Sequence, residues 1–245
     1  MLGIHYQEGF SSLSEKKNIF ITGTSRGIGK ELTKFYIKDG HNVYGCSRTS
    51  SAFKHKNYFH NKIDMTNDQK LFLWLKKLKK RNISLDVLVM NAGTIDRSFF
   101  LNQKKKKIKN LININLTSNL MLLNNIFKLS ILDPNCKLVF FSSVSTILKT
   151  PGTVIYSALK IAMDTAIQIL SKELKYSNFK FLIFKITYIK SKMSKTLNLK
   201  KLKELKSKVK IKNLSSTKKI YDKINKCDLK KNNRKLFIFK DELIK

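Results

Sequence analysis

Asn18-Ile19-Phe20-Ile21-Thr22-Gly23-Thr24-Ser25-Arg26-Gly27-Ile28-Gly29 begins as a short run of β-formers and ends on closely spaced glycines. Beyond it, Ile28, Leu32, Phe35 and Tyr36 fall at helical spacing, and the run stops at Asp39-Gly40, where glycine suits the position after a helix. The pattern therefore predicts strand, glycine turn, helix. Glycines let a backbone turn tightly and approach a pyrophosphate, whose charge is met by the amides and dipole at the helix start. The plainer alternative is a tight turn that binds nothing. The flanking strand and helix favour the phosphate.

Outward from this unit the alternation continues. His41 to Arg48 reads as a second strand ending on Ser47-Arg48. In a nucleotide-binding sheet an acidic residue at that edge binds the ribose 2′-OH, and an arginine accommodates a 2′-phosphate; the alternative is a solvated arginine after a strand. Tyr58 to Ile63 forms a third strand, followed by Asp64-Met65. Thr66-Asn67-Asp68-Gln69 has the form of a capping box, opening a helix with Leu71, Trp74, Leu75 and Leu78 on its apolar face. Leu85 to Met90 is a continuous apolar strand, as buried parallel strands are, and runs into Asn91-Ala92-Gly93. Lys104 to Lys107 reads as the solvated start of a helix that continues through Ile108, Leu111, Ile112 and 115–123, with the polar Asn115 inside it. Leu138 to Phe141 is a strand leading to Ser142-Ser143. Phe179 to Phe184 and Leu236 to Phe239 complete the set. Residues 190–230 are lysine-rich and helix-like. Strands alternating with helices, with no internal repeat, predict one α/β domain over 1–245. It is a single Rossmann-like, doubly wound parallel sheet of about seven strands with helices on both faces.

Composition bounds the function. The chain has 245 residues, of which 42% are hydrophobic, enough for one sizeable core. No apolar run approaches the ~20 residues that span a bilayer, and the N-terminal residues lack a basic leader with an apolar segment. A cytoplasmic location with no membrane partner is expected. Cys46, Cys136 and Cys227 are far apart, odd in number and without metal-ligand spacing, so reduced thiols and no metal site are expected. Fifty Lys+Arg against 16 Asp+Glu give a net charge of +34. Such a balance suits nucleic acid or an acidic partner. The lysines are spread along the chain beside abundant Asn, Ile and Phe, which A/T-rich codons alone would produce, so nucleic acid is not the favoured partner.

Tyr156-Ser157-Ala158-Leu159-Lys160 sits in a further apolar, helix-like run continuing through Ile161, Ala162, Ala166, Ile169 and Leu170. Residues four apart share a helix face, so the Lys160 charge can stabilise a tyrosinate at Tyr156. A free tyrosine titrates near ~10, and bringing it to ~7 takes roughly 4 kcal/mol of differential stabilisation. A cation in a partly dry site can supply that, leaving a usable proton donor or acceptor at neutral pH.

Taken in order over about residues 17 to 193, these motifs resemble the short-chain dehydrogenase/reductase family, classical type. The glycine pattern is similar to its TGxxxGxG, Asn91-Ala92-Gly93 to its NAG, and Tyr156 with Lys160 to its YxxxK. Ser143 precedes Tyr156 by 13 positions (156 − 143) and follows Asn115 by 28 (143 − 115), the family's register. The resemblance implies an NADP(H)-dependent carbonyl reductase or alcohol dehydrogenase, with NAD(H) the less favoured cofactor. It implies that Tyr156 is the general acid or base, that Ser143 hydrogen-bonds the substrate oxygen, and that Lys160 binds the nicotinamide ribose and lowers the Tyr156 pKa. Asn115 would hold a water linking Lys160 to solvent. Gly23, Ser25, Arg26, Gly27, Ile28 and Gly29 would surround the pyrophosphate and adenosine ribose, Ser47 and Arg48 its 2′ edge. Asp64 and Met65 would touch adenine, and Asn91, Ala92 and Gly93 would line the cleft.

Two departures stand out. Where the family carries Pro-Gly and a following threonine, this chain has Ile186-Thr187-Tyr188-Ile189-Lys190-Ser191, so Ile189 and Ser191 are left to make the nicotinamide contacts. The usual Asp-Gly-Gly ending is replaced by Phe239-Lys240-Asp241-Glu242. A homo-oligomer, dimer or tetramer, remains the family's expectation, and 190–230 is expected to form a substrate lid. The substrate is expected to be a small carbonyl or alcohol, free or linked to an acidic carrier. The competing reading is a catalytically silent member of the fold that binds nucleic acid or an acidic partner through its lysines. Retention of Asn115, Ser143, Tyr156 and Lys160 together argues against it.

Overall fold

The computed structural model describes residues 15–186 and 216–227, together with the backbone of 234–239. Among the described residues seven strands form one parallel sheet: β1 Asn18–Thr22, β2 Asn42–Ser47, β3 Tyr58–Lys62, β4 Leu85–Met90, β5 Leu132–Ser143, β6 Lys180–Ile186 and β7 Arg234–Phe239. Their spatial order is β3-β2-β1-β4-β5-β6-β7. The order reverses between β1 and β4. In open α/β sheets ligands bind beyond the carboxyl ends of the strands at such a switch point.

The period-2 alternation of strand side chains divides the core into two layers. Ile19, Ile21, Val87, Val89 and Leu182 face one side, under α1 (Gly27–Lys38) and the later helix Thr217–Lys226. Phe20, Leu88, Leu138, Phe140 and Ile183 face the other, under α2 (Asp68–Lys80), α4 (Ser118–Leu129) and α6 (Val154–Glu173). Between β4 and β5 also lies α3 (Lys105–Ile112), and the short α5 (Ser145–Leu148) follows β5. The helix Thr217–Lys226, here α7, buries Ile220 and Ile224 and presses Tyr221 edge-on against Tyr36. The Tyr221 hydroxyl donates to Asp39 at the end of α1.

Several local expectations are corrected. Helix α2 is capped by Asn67, whose side-chain oxygen accepts from the Lys70 amide at 2.9 Å. Thr66 is not the cap, because Asp64 accepts both its amide and its hydroxyl. Strand β5 begins at Leu132, and a register shift between Leu85 and Val87 absorbs its irregular start. The helix expected through Asn115 is interrupted by a π turn over Asn113–Thr117. On α6 the inward face is Lys160, Met163, Asp164 and Ile167, while Ile161 and Ile169 are about half exposed. That helix is long and apolar enough, by length and composition, to cross a membrane. Its buried lysine and aspartate and its packing against β5 and β6 make it a core helix of the sheet. Of the expected lid, 216–227 seats Ile220, Tyr221, Ile224 and Cys227 in the core and leaves its lysines exposed; the remainder, with Ile189 and Ser191, lies outside the described residues.

Candidate active site

The glycine turn is built onto two neighbouring strands. Gly23 N–H donates to the Cys46 carbonyl of β2 at 2.8 Å. On the other side, Asn91 donates its side-chain amide to the carbonyls of Thr22 at 2.8 Å and Gly23 at 3.2 Å. The Thr22 hydroxyl oxygen accepts from the amides of Asn91 and Ala92 at 3.0 and 2.9 Å. Thr22, in sequence an ordinary strand residue, is thus the clasp between the glycine turn and Asn91-Ala92-Gly93.

Within this clasp Gly29 has no room for a side chain. A Cβ there would lie 2.4 Å from the Gly23 carbonyl oxygen and 2.6 Å from Asn91 Nδ2. Gly27 has φ +60°, and the space a Cβ would enter is open. Helix α1 starts at Gly27 with no side-chain cap and no acidic residue in its first turn. An open cradle of helix-start amides with uncompensated dipole suits a phosphate group, so these residues fit the dinucleotide that the sequence implies. Ser25 and Ile28 are half-buried around the cradle, and Arg26 is exposed at its rim.

At the end of β2, Ser47 is buried and its hydroxyl is already engaged. It donates to the Thr49 carbonyl at 2.7 Å and accepts from His60 Nε2 at 2.8 Å, which fixes the imidazole with its proton on that nitrogen. Burial, with Lys54 nearby, holds the His60 pKa below its ordinary value, so it donates as a neutral ring. Arg48 is exposed beside it. Asp64 is half-buried with one oxygen occupied by Thr66, and Met65 is buried against Cys46.

Across the switch point, β5 ends at Ser143, whose oxygen accepts from the amide and hydroxyl of Ser145 at 3.2 and 2.9 Å. Both acceptor sites are filled, so the Ser143 proton is directed outward. Tyr156 lies in the first turn of α6, half-buried. One turn on, Lys160 is buried beneath it: Nζ donates to the Phe141 carbonyl at 2.7 Å and lies 5.8 Å from the Tyr156 ring centre and 4.9 Å from that of Phe140. Burial pushes the Lys160 pKa down to about 8, with the Asp164 carboxylate opposing the shift.

Asn115 is fully buried, and the π turn projects it at the loop after β4. Its side chain accepts from the Thr94 amide at 3.1 Å and donates to the carbonyls of Thr94 and Leu111 at 2.9 and 3.0 Å. The carboxamide therefore clamps the Gly93-Thr94 backbone. Gly93 lies between Asn115 and Lys160: a Cβ on it would stand 3.0 Å from Asn115 Oδ1 and 3.8 Å from Lys160 Nζ. Asn115, Ser143, Tyr156 and Lys160 thus converge at the carboxyl end of the sheet, beside the cradle.

The pattern of the short chain dehydrogenase family matches residues 17–202. The chain is 27% identical over 212 residues to the 3-oxoacyl-[acyl-carrier-protein] reductase FabG of Buchnera aphidicola subsp. Schizaphis graminum, an alignment covering 84% of this chain and 87% of that one. It is 24% identical to the 3-oxoacyl-[acyl-carrier-protein] reductase MabA of Mycobacterium tuberculosis, over 78% of this chain and 76% of that one. A short chain dehydrogenase from Leptospira borgpetersenii with bound NAD+ superposes with a TM-score of 0.81 at 13% identity, covering 98% and 97% of the two chains. With the glycine cradle, the clasped Asn-Ala-Gly turn and the Tyr-Lys helix in one cleft, the chain belongs to the short-chain dehydrogenase family and is an NAD(P)-dependent oxidoreductase.

Proposed function

We propose that this protein is an NADP(H)-dependent reductase of a carbonyl group, working in the reverse direction as an alcohol dehydrogenase. The observation that carries the reading is Lys160 buried one helical turn beneath Tyr156, with Ser143 at the adjoining strand end. When bound, the nicotinamide supplies or accepts the hydride. Ser143 donates to the substrate oxygen, where negative charge develops. Tyr156 delivers the proton to that oxygen, and the Lys160 cation keeps the phenol acidic enough to do so near neutral pH. Asn115 holds the Gly93-Thr94 backbone that walls the site.

The named relatives support a 3-oxoacyl thioester as substrate. Phe99, Phe100 and Leu101 are exposed on the loop after Asn91-Ala92-Gly93 and are followed by the exposed Lys104 to Lys107, a surface suited to an acyl chain on an acidic carrier. Arg26 and Arg48 at the rim of the cradle support NADP(H), since a guanidinium pairs with a 2′-phosphate. Acetoacetyl-CoA reduction should accordingly run at higher kcat/KM with NADPH than with NADH. Arg48→Ala should raise the KM for NADPH about tenfold, the scale of one charge-assisted hydrogen bond, and leave that for NADH nearly unchanged. Equal use of the two cofactors by the wild type would refute the NADP(H) assignment. Loss of thioester turnover alongside reduction of simple ketones would refute the substrate class. Three buried, unpaired thiols suit the reducing cytoplasm.

A homo-oligomer is supported by an exposed stripe on α6, Val154, Ala158, Ile161, Ala162, Thr165 and Ile169, at helical spacing, and by exposed Leu120 and Met121 on α4. We expect sedimentation to give at least a dimer, and Ile161→Glu to shift it toward monomer. A monomeric wild type at micromolar concentration would rule the stripe out as an interface.

A further inference from the structure

Lys185 and Asp164 belong to none of the roles assigned above, and they pair with each other close enough for the Asp164 charge to act on Lys160. Asp164 lies one turn beyond Lys160 on the buried face of α6, and only 4% of its surface is exposed. Lys185 stands on β6 opposite Ser142 of β5. Its Nζ lies 3.1 Å from Asp164 Oδ2 and 3.2 Å from Thr146 Oγ1. Thr146 in turn donates its hydroxyl to the carbonyl of Ser143 at 2.7 Å. The ammonium therefore bridges the helix that carries Tyr156 and Lys160 to the residue that carries the serine hydroxyl.

A buried carboxylate costs several kcal/mol unless it is paired and well hydrogen-bonded. Among the described residues neither oxygen of Asp164 has an aligned hydrogen-bond donor, and its compensation there is the contact with Lys185 and the field of Lys160. A lone structural anion would be replaced by an apolar side chain at little cost. Placed between two lysines it does something an apolar residue cannot. It ties α6 to β6 on one side and sets the field at Lys160 on the other.

We propose that Lys185, held between Asp164 and Thr146, is a positioning residue that fixes Ser143 relative to Tyr156 and Lys160. This rests on the roles proposed above for Ser143, Tyr156 and Lys160. Misplacing a reacting group by about 1 Å can cost on the order of a hundredfold in rate, so a strap of this kind acts on turnover more than on cofactor binding.

The same arrangement predicts opposite electrostatic effects from its two ends. Among the described residues, the charged and titratable groups facing Lys160 are Asp164 and the Tyr156 phenol on its own helix and, across Asp164, Lys185 of β6. From the other elements packed on it come the Phe141 carbonyl and Phe140 ring of β5 and the uncharged Asn115 of the π turn. Lys185→Met leaves Asp164 to Lys160 alone, favours the charged lysine and extends activity to higher pH. Asp164→Asn removes the anion, so activity is lost at lower pH than in the wild type.

The test compares wild type, Lys185→Met, Lys185→Arg, Asp164→Asn and Thr146→Val. Its readouts are kcat against pH with acetoacetyl-CoA and NADPH, and NADPH affinity by fluorescence without substrate. Lys185→Met should lower kcat about tenfold or more, with NADPH affinity at pH 7 held within about twofold, and Lys185→Arg should recover most of the loss. The alkaline limb should move up in Lys185→Met and down in Asp164→Asn. Thr146→Val, which breaks the link to Ser143 without touching a charge, should lower kcat with the limb unmoved, and it decides the matter if the charge variants do not fold. An unchanged kcat in Thr146→Val and Lys185→Met, or limbs that move the same way, would overturn the proposal. A wild type inactive on acetoacetyl-CoA would instead refute the substrate class. The pH dependence of NADPH affinity in the two charge variants would still read Lys160, and limbs that do not separate there would overturn the strap.

Discussion

Tyr156→Phe should reduce kcat at least a hundredfold while NADPH affinity stays within about twofold, since removing a positioned general acid costs typically 10²–10⁴ in rate. The substitution deletes one oxygen from a half-buried side chain in the first turn of α6 and keeps the ring, so the packing that seats the helix is preserved. Lys160 keeps its hydrogen bond to the Phe141 carbonyl, and the glycine cradle lies on α1, well apart in the chain. Cofactor binding thus has no reason to change, whereas the substrate oxygen loses its proton source. Ser143 remains and can still steady the developing charge, which leaves a residual rate above none. Steady-state kinetics with acetoacetyl-CoA, beside fluorescence titration of NADPH, separate the two quantities. A variant that keeps more than a few per cent of the wild-type kcat would remove Tyr156 from the proton transfer.

The parts of this molecule written as local signals were legible in the sequence. The glycine turn, the apolar strands and the Tyr156-Lys160 spacing each depend on neighbours within a few residues, and they fold as that spacing dictates. What escaped is what depends on contacts across the sheet. Thr22 reads as an ordinary β-former, yet its hydroxyl clasps Asn91 and Ala92, about 70 residues away. Asp164 and Lys185 look like solvated charges until the sheet brings β6 under α6. Asn115 was recognised from its register, but its place in a π turn, with its amide spent on Thr94 and Leu111, follows from packing that periodicity does not encode. The apolar run of α6 does not by itself say which of its faces is buried. The alternation of faces on the folded helix sends Ile161 and Ile169 outward and Lys160 and Asp164 inward, the reverse of what hydrophobicity alone suggests.

Lys160→Met should lose both turnover and cofactor affinity, and it should also change how stability depends on pH. On the functional side, the ammonium is the group proposed to meet the nicotinamide ribose and to acidify Tyr156. Removing it should cost kcat a hundredfold or more and weaken NADPH about tenfold, the worth of one charged hydrogen bond. On the stability side, burial lowers the folded-state pKa from 10.5 to about 8, so the fold disfavours the charged lysine. Below about 8 both folded and unfolded chains hold the proton, and the destabilisation is fully present. Between about 8 and 10.5 the unfolded chain binds more protons than the folded one, so this contribution to stability rises with pH. The buried thiols of Cys46 and Cys136, held above their ordinary values, act in the opposite sense in the alkaline range. They are common to wild type and variant and cancel in the difference. Denaturant unfolding at pH 7 and 9.5, without cofactor, should therefore show wild type gaining on Lys160→Met by on the order of 2 kcal/mol. Methionine fills the aliphatic volume that the lysine stem occupies, so the difference in slope isolates the ammonium rather than a cavity. A pH-independent difference would mean that Lys160 titrates as an ordinary lysine, and the cation beneath Tyr156 would then be too well solvated to lower its pKa.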